Sequence, residues 1–162
     1  MTAHRVTAAA SDPVGVGLTY RRASEADVDR LLALEADVGE PKLYGPITSQ
    51  AAALKEIRDN VLYFLILGQT VVGTAAYRIG EDGSSIHISN VAVAPAYRRR
   101  GIARAAMTLI MDQNKGARRV DLVTHPENEK ALDLYFSLGF RIESRRENHF
   151  GDGEPRLVLT KM

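Results

Sequence analysis

This chain predicts an α/β domain built on a mixed, mostly antiparallel central sheet, and three observations carry the prediction. Apolar positions switch repeatedly between the two-residue period of strands and the 3.6-residue period of helices. No internal repeat or low-complexity linker interrupts the alternation, so one continuous domain over 18–162 is expected, preceded by a flexible leader over 1–17. A length of 162 residues with 45% apolar composition is enough to bury one full core.

The elements follow in order. Leu18 to Arg22 reads as a short strand. Ser24, with Asp27 three residues on, forms an approximate capping box for a helix whose apolar stripe is Val28, Leu31, Leu32 and Leu34, fading near Gly39. The loop Pro41 to Pro46 carries Tyr44 and is placed to cover a substrate. Thr48 then caps a second helix through Ala53, Leu54 and Ile57. Val61 to Leu67 and Thr70 to Ile79 are strands joined at Gly68-Gln69, a hairpin signal, and the strand Ser85 to Ala94 follows antiparallel. A helix over 101–114, the strand Arg119 to Thr124, a helix from Asn128 to Leu138 and the strands Phe140 to Ser144 and Arg156 to Lys161 complete the domain.

Composition narrows the function classes. The formal net charge is only +1, so basic residues form local patches and no nucleic-acid partner is expected. RNA or DNA binding through Arg98 to Arg100, Arg118-Arg119 and Arg145-Arg146 would reveal itself as affinity that falls steeply with salt. The chain has no cysteine, which excludes disulfides, cysteine-ligated zinc and an acyl-cysteine intermediate and fits a cytoplasmic setting. No His/Asp/Glu spacing resembles a metal site. The apolar run Val61 to Leu67 is far short of the roughly 20 residues of a membrane span, so no membrane partner is expected.

One stretch carries the chemistry. From Val91 to Arg104 an apolar strand (Val91, Ala92, Val93) stops at Pro95 and delivers Arg98, Arg99, Arg100 and Gly101 to the start of a helix at Ile102-Ala103-Arg104. Backbone N–H groups at a helix N-terminus lack intrahelical partners and the helix dipole adds positive potential, so such a turn can hold a phosphate by main chain alone. Gly101 permits close approach, and the arginines suit phosphate oxygens.

The pattern Arg98-x-x-Gly101-x-Ala103, followed by Asn128-x-x-Ala131-x-x-x-Tyr135-x-x-x-Gly139-Phe140, resembles the two cofactor motifs of the GNAT N-acetyltransferase superfamily, over most of 18–162. The resemblance implies a sheet of about seven strands flanked by about four helices, with the fourth and fifth strands, here 85–94 and 119–124, splayed into a V that admits the pantetheine arm of acetyl-CoA. It also implies a bulge near Asn90 to Val93 that turns main-chain N–H groups toward the thioester oxygen. By the same resemblance the 98–104 turn, Asn128 and Ala131 bind the cofactor, and Tyr135 stands beside the sulfur as the acid. No metal is implied.

Transfer of acetyl to an amine needs a base, because an ammonium has no lone pair, together with oxyanion donors and an acid for the departing thiolate. A phenol suits the last role. The tail from Asn128 to Met162 resembles the branch that acetylates protein N-termini, ribosomal-protein enzymes included, yet that branch's fifth-strand glutamate is matched here by Val123 and its paired tyrosines by His149-Phe150. Glu35, His87, Glu143 and His149 are therefore candidate bases, while His87 alone more often signals a satisfied structural histidine, and His125 lies in a loop. The expected activity is acetyl-CoA-dependent acetylation of a primary amine by direct attack, on a protein N-terminus or lysine, in a monomer or homodimer. Acetylation of a small amine such as an aminoglycoside, polyamine or amino-acid derivative, and a non-catalytic CoA-binding regulatory module, are the alternatives.

Overall fold

In a computed structural model of the protein, residues 5–7, 17–38, 43 and 45–162 are described. The elements are β1 (Arg5–Thr7), β2 (Leu18–Arg22), α1 (Val28–Asp37), α2 (Gln50–Asp59), β3 (Val61–Leu67), β4 (Thr70–Ile79), β5 (Ser85–Val93), α3 (Ile102–Gln113), β6 (Arg119–Thr124), α4 (Glu129–Ser137), β7 (Arg141–Arg146) and β8 (Arg156–Lys161). They form one sheet in the order β1-β2-β3-β4-β5-β6-β8-β7. Every neighbouring pair is antiparallel except β5 and β6, which run parallel around the crossover made by α3.

Seven of these strands are those expected from Leu18 onward. The eighth, β1, pairs with β2 inside the stretch read as a leader. Ser49, not Thr48, caps α2: its Oγ accepts from Ala52 N–H at 3.1 Å, while the Ile47 N–H is tied to Glu35, so the helix opens one residue later than expected. The Tyr44 position lies outside the described residues. No described helix is long and apolar enough to cross a membrane.

The alternation of side chains splits the core between the two faces of the sheet. Tyr63, Leu65, Ile86, Ile88, Val120, Leu122 and Leu159 pack with Ile102, Ala106, Met107 and Ile110 of α3 on one face, where Leu132 and Tyr135 of α4 also dock. Leu62, Phe64, Ala76 and Ala92 face Leu31, Leu34, Ala53 and Ile57 of α1 and α2 on the other. The expected capping box anchors α1: the Asp27 carboxylate accepts from Ser24 N–H at 2.8 Å and from both arms of Arg21, whose guanidinium lies 5.1 Å from the Phe64 ring centre.

A bulge in β5 decides what lies at the centre of the second face. Ala76 pairs with Asn90 but its neighbour Tyr77 pairs with Ile88, which leaves Ser89 as the extra residue. The slip reverses the alternation, so Ile86 and Ile88 face α3 whereas Asn90 and Ala92 face α1 and α2. The bulge thus stands one residue ahead of the Asn90 to Val93 stretch expected to hold it. Beyond it β4 and β5 approach tightly: a Cβ built on Gly73 would stand 2.3 Å from the Ala92 carbonyl oxygen. Because that atom is backbone, Gly73→Ala must shift a strand, and we expect a loss of about 2–4 kcal/mol in urea unfolding. Unchanged stability would contradict the β4–β5 register.

Candidate active site

The two sides of the site are set by the parallel pair. β5 and β6 are in register from Ser85 opposite Arg119 to Ile88 opposite Leu122, and no further. Past that point Asn90 to Val93 on one side and Val123 and Thr124 on the other have separated, leaving the V expected between the fourth and fifth strands counted from Leu18. Backbone groups at such a divergence need other partners, and an extended ligand with amides can supply them. Because the strands are parallel, α3 and α4 both begin at this same end of the sheet, which places Gly101 and Asn128 on the two flanks of the opening.

On the α3 side, Gly101 is the N-cap of α3 with φ 78°, and Arg99 also takes a left-handed φ of 66°. A glycine adopts this conformation without penalty whereas the arginine does not, and strain of this kind concentrates at ligand-binding turns. The arginines, read together as phosphate ligands, divide in the structure. Arg98 turns back on the chain, donating from Nε to the Val93 carbonyl at 3.0 Å and from Nη2 to the Val38 carbonyl, so it ties the turn to the end of α1. Arg104 donates to Ser137 Oγ at 2.7 Å and joins α3 to α4. Arg99 stays exposed, and the exposed Arg100 lies 5.1 Å from the Tyr97 ring centre. Ile102 is buried in the core and Ala103 half-buried, so both offer only main chain to a ligand. Charge for a diphosphate would therefore come from Arg99, Arg100 and the helix start, because the inner positions of the turn serve its folding.

On the α4 side, Asn128 is the N-cap residue and makes no side-chain cap to its own helix. Asn128, Ala131 and Tyr135 are spaced by three and four residues and lie along one face of α4. The Tyr135 ring meets Phe140 edge-on at 6.1 Å. Its ring is partly accessible, but protein atoms crowd the hydroxyl, and burial pushes its pKa up to about 12.

The opposite mouth of the V opens on the α1–α2 face into a cavity of about 460 Å³, bounded by Glu56 of α2, His87 and Ser89 of β5, Asp121 and Val123 of β6, and the β7–β8 loop with His149 and Phe150. His87 Nδ1 lies 2.5 Å from Asp121 Oδ1, whose other oxygen accepts from Arg119 Nε at 3.2 Å. Ser89, the bulge residue, donates to Glu56 Oε1 at 3.2 Å. Desolvation raises the Glu56 pKa above the usual carboxylate value, against the lowering effects of the Ser89 hydrogen bond and of Arg78.

The candidate bases thus separate. Glu35 is buried beneath α1, accepting from Asn90 Nδ2 at 3.1 Å and from Ile47 N–H at 3.3 Å, and braces the bulge from below. Glu143 is exposed and forked onto Arg119 at 2.7 and 3.0 Å, and that hydrogen bonding holds its carboxyl below the usual range. His125 is a structural histidine: its Nδ1 accepts from Glu127 N–H at 3.0 Å, and its Nε2 reaches Glu154 at 2.8 Å. His87 and His149 do line the cavity. Glu56 lies outside the sequence motifs, and its only local signal is spacing, three residues after the inward-facing Ala53 of α2.

An α/β sheet opened between two parallel strands, with an anion-suited helix start on one flank and a phenol on the other, can take an extended ligand that carries phosphate. The Acetyltransferase (GNAT) family profile matches residues 28–140, and the chain belongs to that family. It is 26% identical over 160 residues to an N-alpha-acetyltransferase of Saccharolobus solfataricus, covering 91% of this chain and 94% of that one. It is also 31% identical over 99 residues to the N-terminal acetyltransferase B complex catalytic subunit NAA20 of Arabidopsis thaliana, a match that spans 58% of this chain and only 57% of that subunit. Among solved structures, Ard1 from Thermoplasma volcanium superposes with a TM-score of 0.77 at 20% identity, covering 90% of this chain and 97% of that one. Arabidopsis thaliana Naa50, solved with the bisubstrate analogue CoA-Ac-MVNAL, superposes with a TM-score of 0.76 at 19% identity, covering 91% and 99%.

Proposed function

We propose that this protein is an acetyl-CoA-dependent N-acetyltransferase that moves the acetyl group directly to the terminal amine of a protein or peptide. The observation that carries the reading is the opening between β5 and β6 beyond Ile88 and Leu122, which has a cofactor-type flank on the α3–α4 side and a polar cavity on the α1–α2 side. Two substrates entering from opposite faces of one sheet meet at the gap without crossing each other. Val91, Ala92 and Val93 present main chain to the pantetheine arm, the helix start at Gly101 takes the diphosphate, and N–H groups just past the Ser89 bulge receive the oxyanion. The amine attacks the thioester carbonyl, the tetrahedral intermediate expels the thiolate, and Tyr135 supplies the proton that makes the free thiol. The N-alpha-acetyltransferases to which the chain is similar support a peptide terminus as the acceptor.

The test offers acetyl-CoA with three kinds of acceptor: peptides with a free N-terminus, N-terminally blocked peptides carrying lysine, and small amines. Thiol release and product mass are followed. Acetylation confined to free termini is the expected result. Turnover only of small amines would overturn the acceptor class, and CoA binding without turnover of any acceptor would leave a binding module.

A further inference from the structure

We propose that Glu56 is the group that receives the proton of the acceptor's ammonium, an assignment that rests on the acetyltransferase reading above. Three features of the fold converge on this carboxylate. It projects from α2 into the cavity at the point where β5 and β6 part, so it stands on the acceptor's side of the gap. Ser89, which holds it at 3.2 Å, is the extra residue of the bulge, immediately before the strand segment that borders the cofactor's path. Finally, β6 carries Val123 at the acceptor end of the opening and Asp121 one pair of residues earlier on the same face, and Asp121 is already engaged by His87 and Arg119. Among the described residues, Glu56 is the cavity carboxylate that no guanidinium grips directly.

The surroundings suit a base. Burial disfavours the charged form, while the Ser89 hydroxyl, the facing Arg78 of β4 and His87 of β5 favour it, and Asp59 on the same helix opposes it. Arg119 and Asp121 of β6, Arg146 of β7 and His149 of the following loop complete the charged and titratable lining. A carboxylate lifted toward neutrality by desolvation is a better proton acceptor than one in water and still attracts an ammonium.

The step balances as follows. The ammonium gives one proton to Glu56, and the freed lone pair forms the N–C bond to the thioester carbon. The C–S bond breaks, the thiolate takes the Tyr135 proton, and the second proton of the attacking nitrogen returns to Tyr135 through solvent. Glu56 releases its proton to water on product departure.

The experiment measures kcat/KM against pH for a free-terminus peptide with the wild type, Glu56→Gln and Ser89→Ala, with CoA affinity as the test of folding. In the wild type the reacting pair is carboxylate plus ammonium, so kcat/KM rises through the Glu56 ionisation and declines above the amine's pKa of roughly 8. In Glu56→Gln only the small neutral fraction of amine reacts, so the loss should be at least about 100-fold at pH 6.5 and should shrink more than tenfold by pH 9. Removing the Ser89 hydroxyl withdraws a hydrogen bond that favours the carboxylate, so the acidic limb should move to higher pH. If Glu56→Gln loses CoA binding, and hence its fold, the Ser89→Ala limb decides: an unmoved limb overturns the assignment. A deficit in Glu56→Gln that is constant with pH, or turnover within about twofold of wild type, also overturns it. Wild-type protein inactive on every acceptor would instead refute the acetyltransferase reading itself.

Discussion

Gly101→Glu is expected to abolish CoA binding, weakening the dissociation constant by at least about 100-fold, or about 2.8 kcal/mol. Two independent costs act at this residue. Gly101 has φ 78°, and an L-residue held in that region pays roughly 1–2 kcal/mol, so the turn resists any side chain. The second cost is electrostatic. The helix start offers unpartnered N–H groups to an anion, and a glutamate placed there brings its own carboxylate to them and repels the diphosphate. Gly101→Ala separates the two terms, since it carries only the conformational cost and should weaken binding by about tenfold. Titration calorimetry with CoA reads the affinity, and thermal melting shows that the variants are folded. An unchanged affinity in folded Gly101→Glu would remove this turn from the cofactor site and with it the placement of the diphosphate.

The same turn shows where sequence reasoning reaches its limit. Its position, its glycine and its role as the start of α3 follow from local rules, because an apolar strand ending at Pro95 and a glycine before an amphipathic stretch leave few alternatives. The duties of its arginines do not follow, since Arg98 and Arg104 are spent on Val38 and Ser137, partners 60 and 33 residues away. Element types were legible for the same reason: periods of 2 and 3.6 are local properties, and the Ser24 to Asp27 box and the Gly68 hairpin carry their own signals. The divergence of β5 and β6 came with the family resemblance, whereas their parallel pairing and its end at Ile88 and Leu122 are tertiary facts. The bulge, expected near Asn90 to Val93, has its extra residue at Ser89, a position that local rules do not fix. Ser89 and Asn90 are poor strand formers, but nothing in their order says which one is extra, and that choice decides whether Asn90 meets α1 or α3. Glu56 was hidden likewise, because its partner Ser89 lies 33 residues on and faces it only after the slip.

Tyr135→Phe is expected to lower kcat by about 100-fold or more while leaving CoA affinity within about twofold, the pattern of an interaction made only in the transition state. The substitution keeps the ring that packs edge-on against Phe140, so folding stability should change by less than about 1 kcal/mol, whereas truncation to alanine would cost roughly 3 kcal/mol or more. This contrast separates chemistry from packing at a half-buried aromatic, the role such a residue would otherwise fill. A phenol pushed up to about 12 keeps its proton throughout the working range, so Tyr135 should contribute no limb to the wild-type pH profile below pH 10. Its proton is then surrendered only as negative charge builds on the sulfur, and loss of the hydroxyl should weigh most on acceptors whose rate is limited by thiolate departure. Equal turnover by Tyr135→Phe and wild type would strip the residue of its part in the reaction and leave the departing thiolate to be protonated by solvent entering along the V.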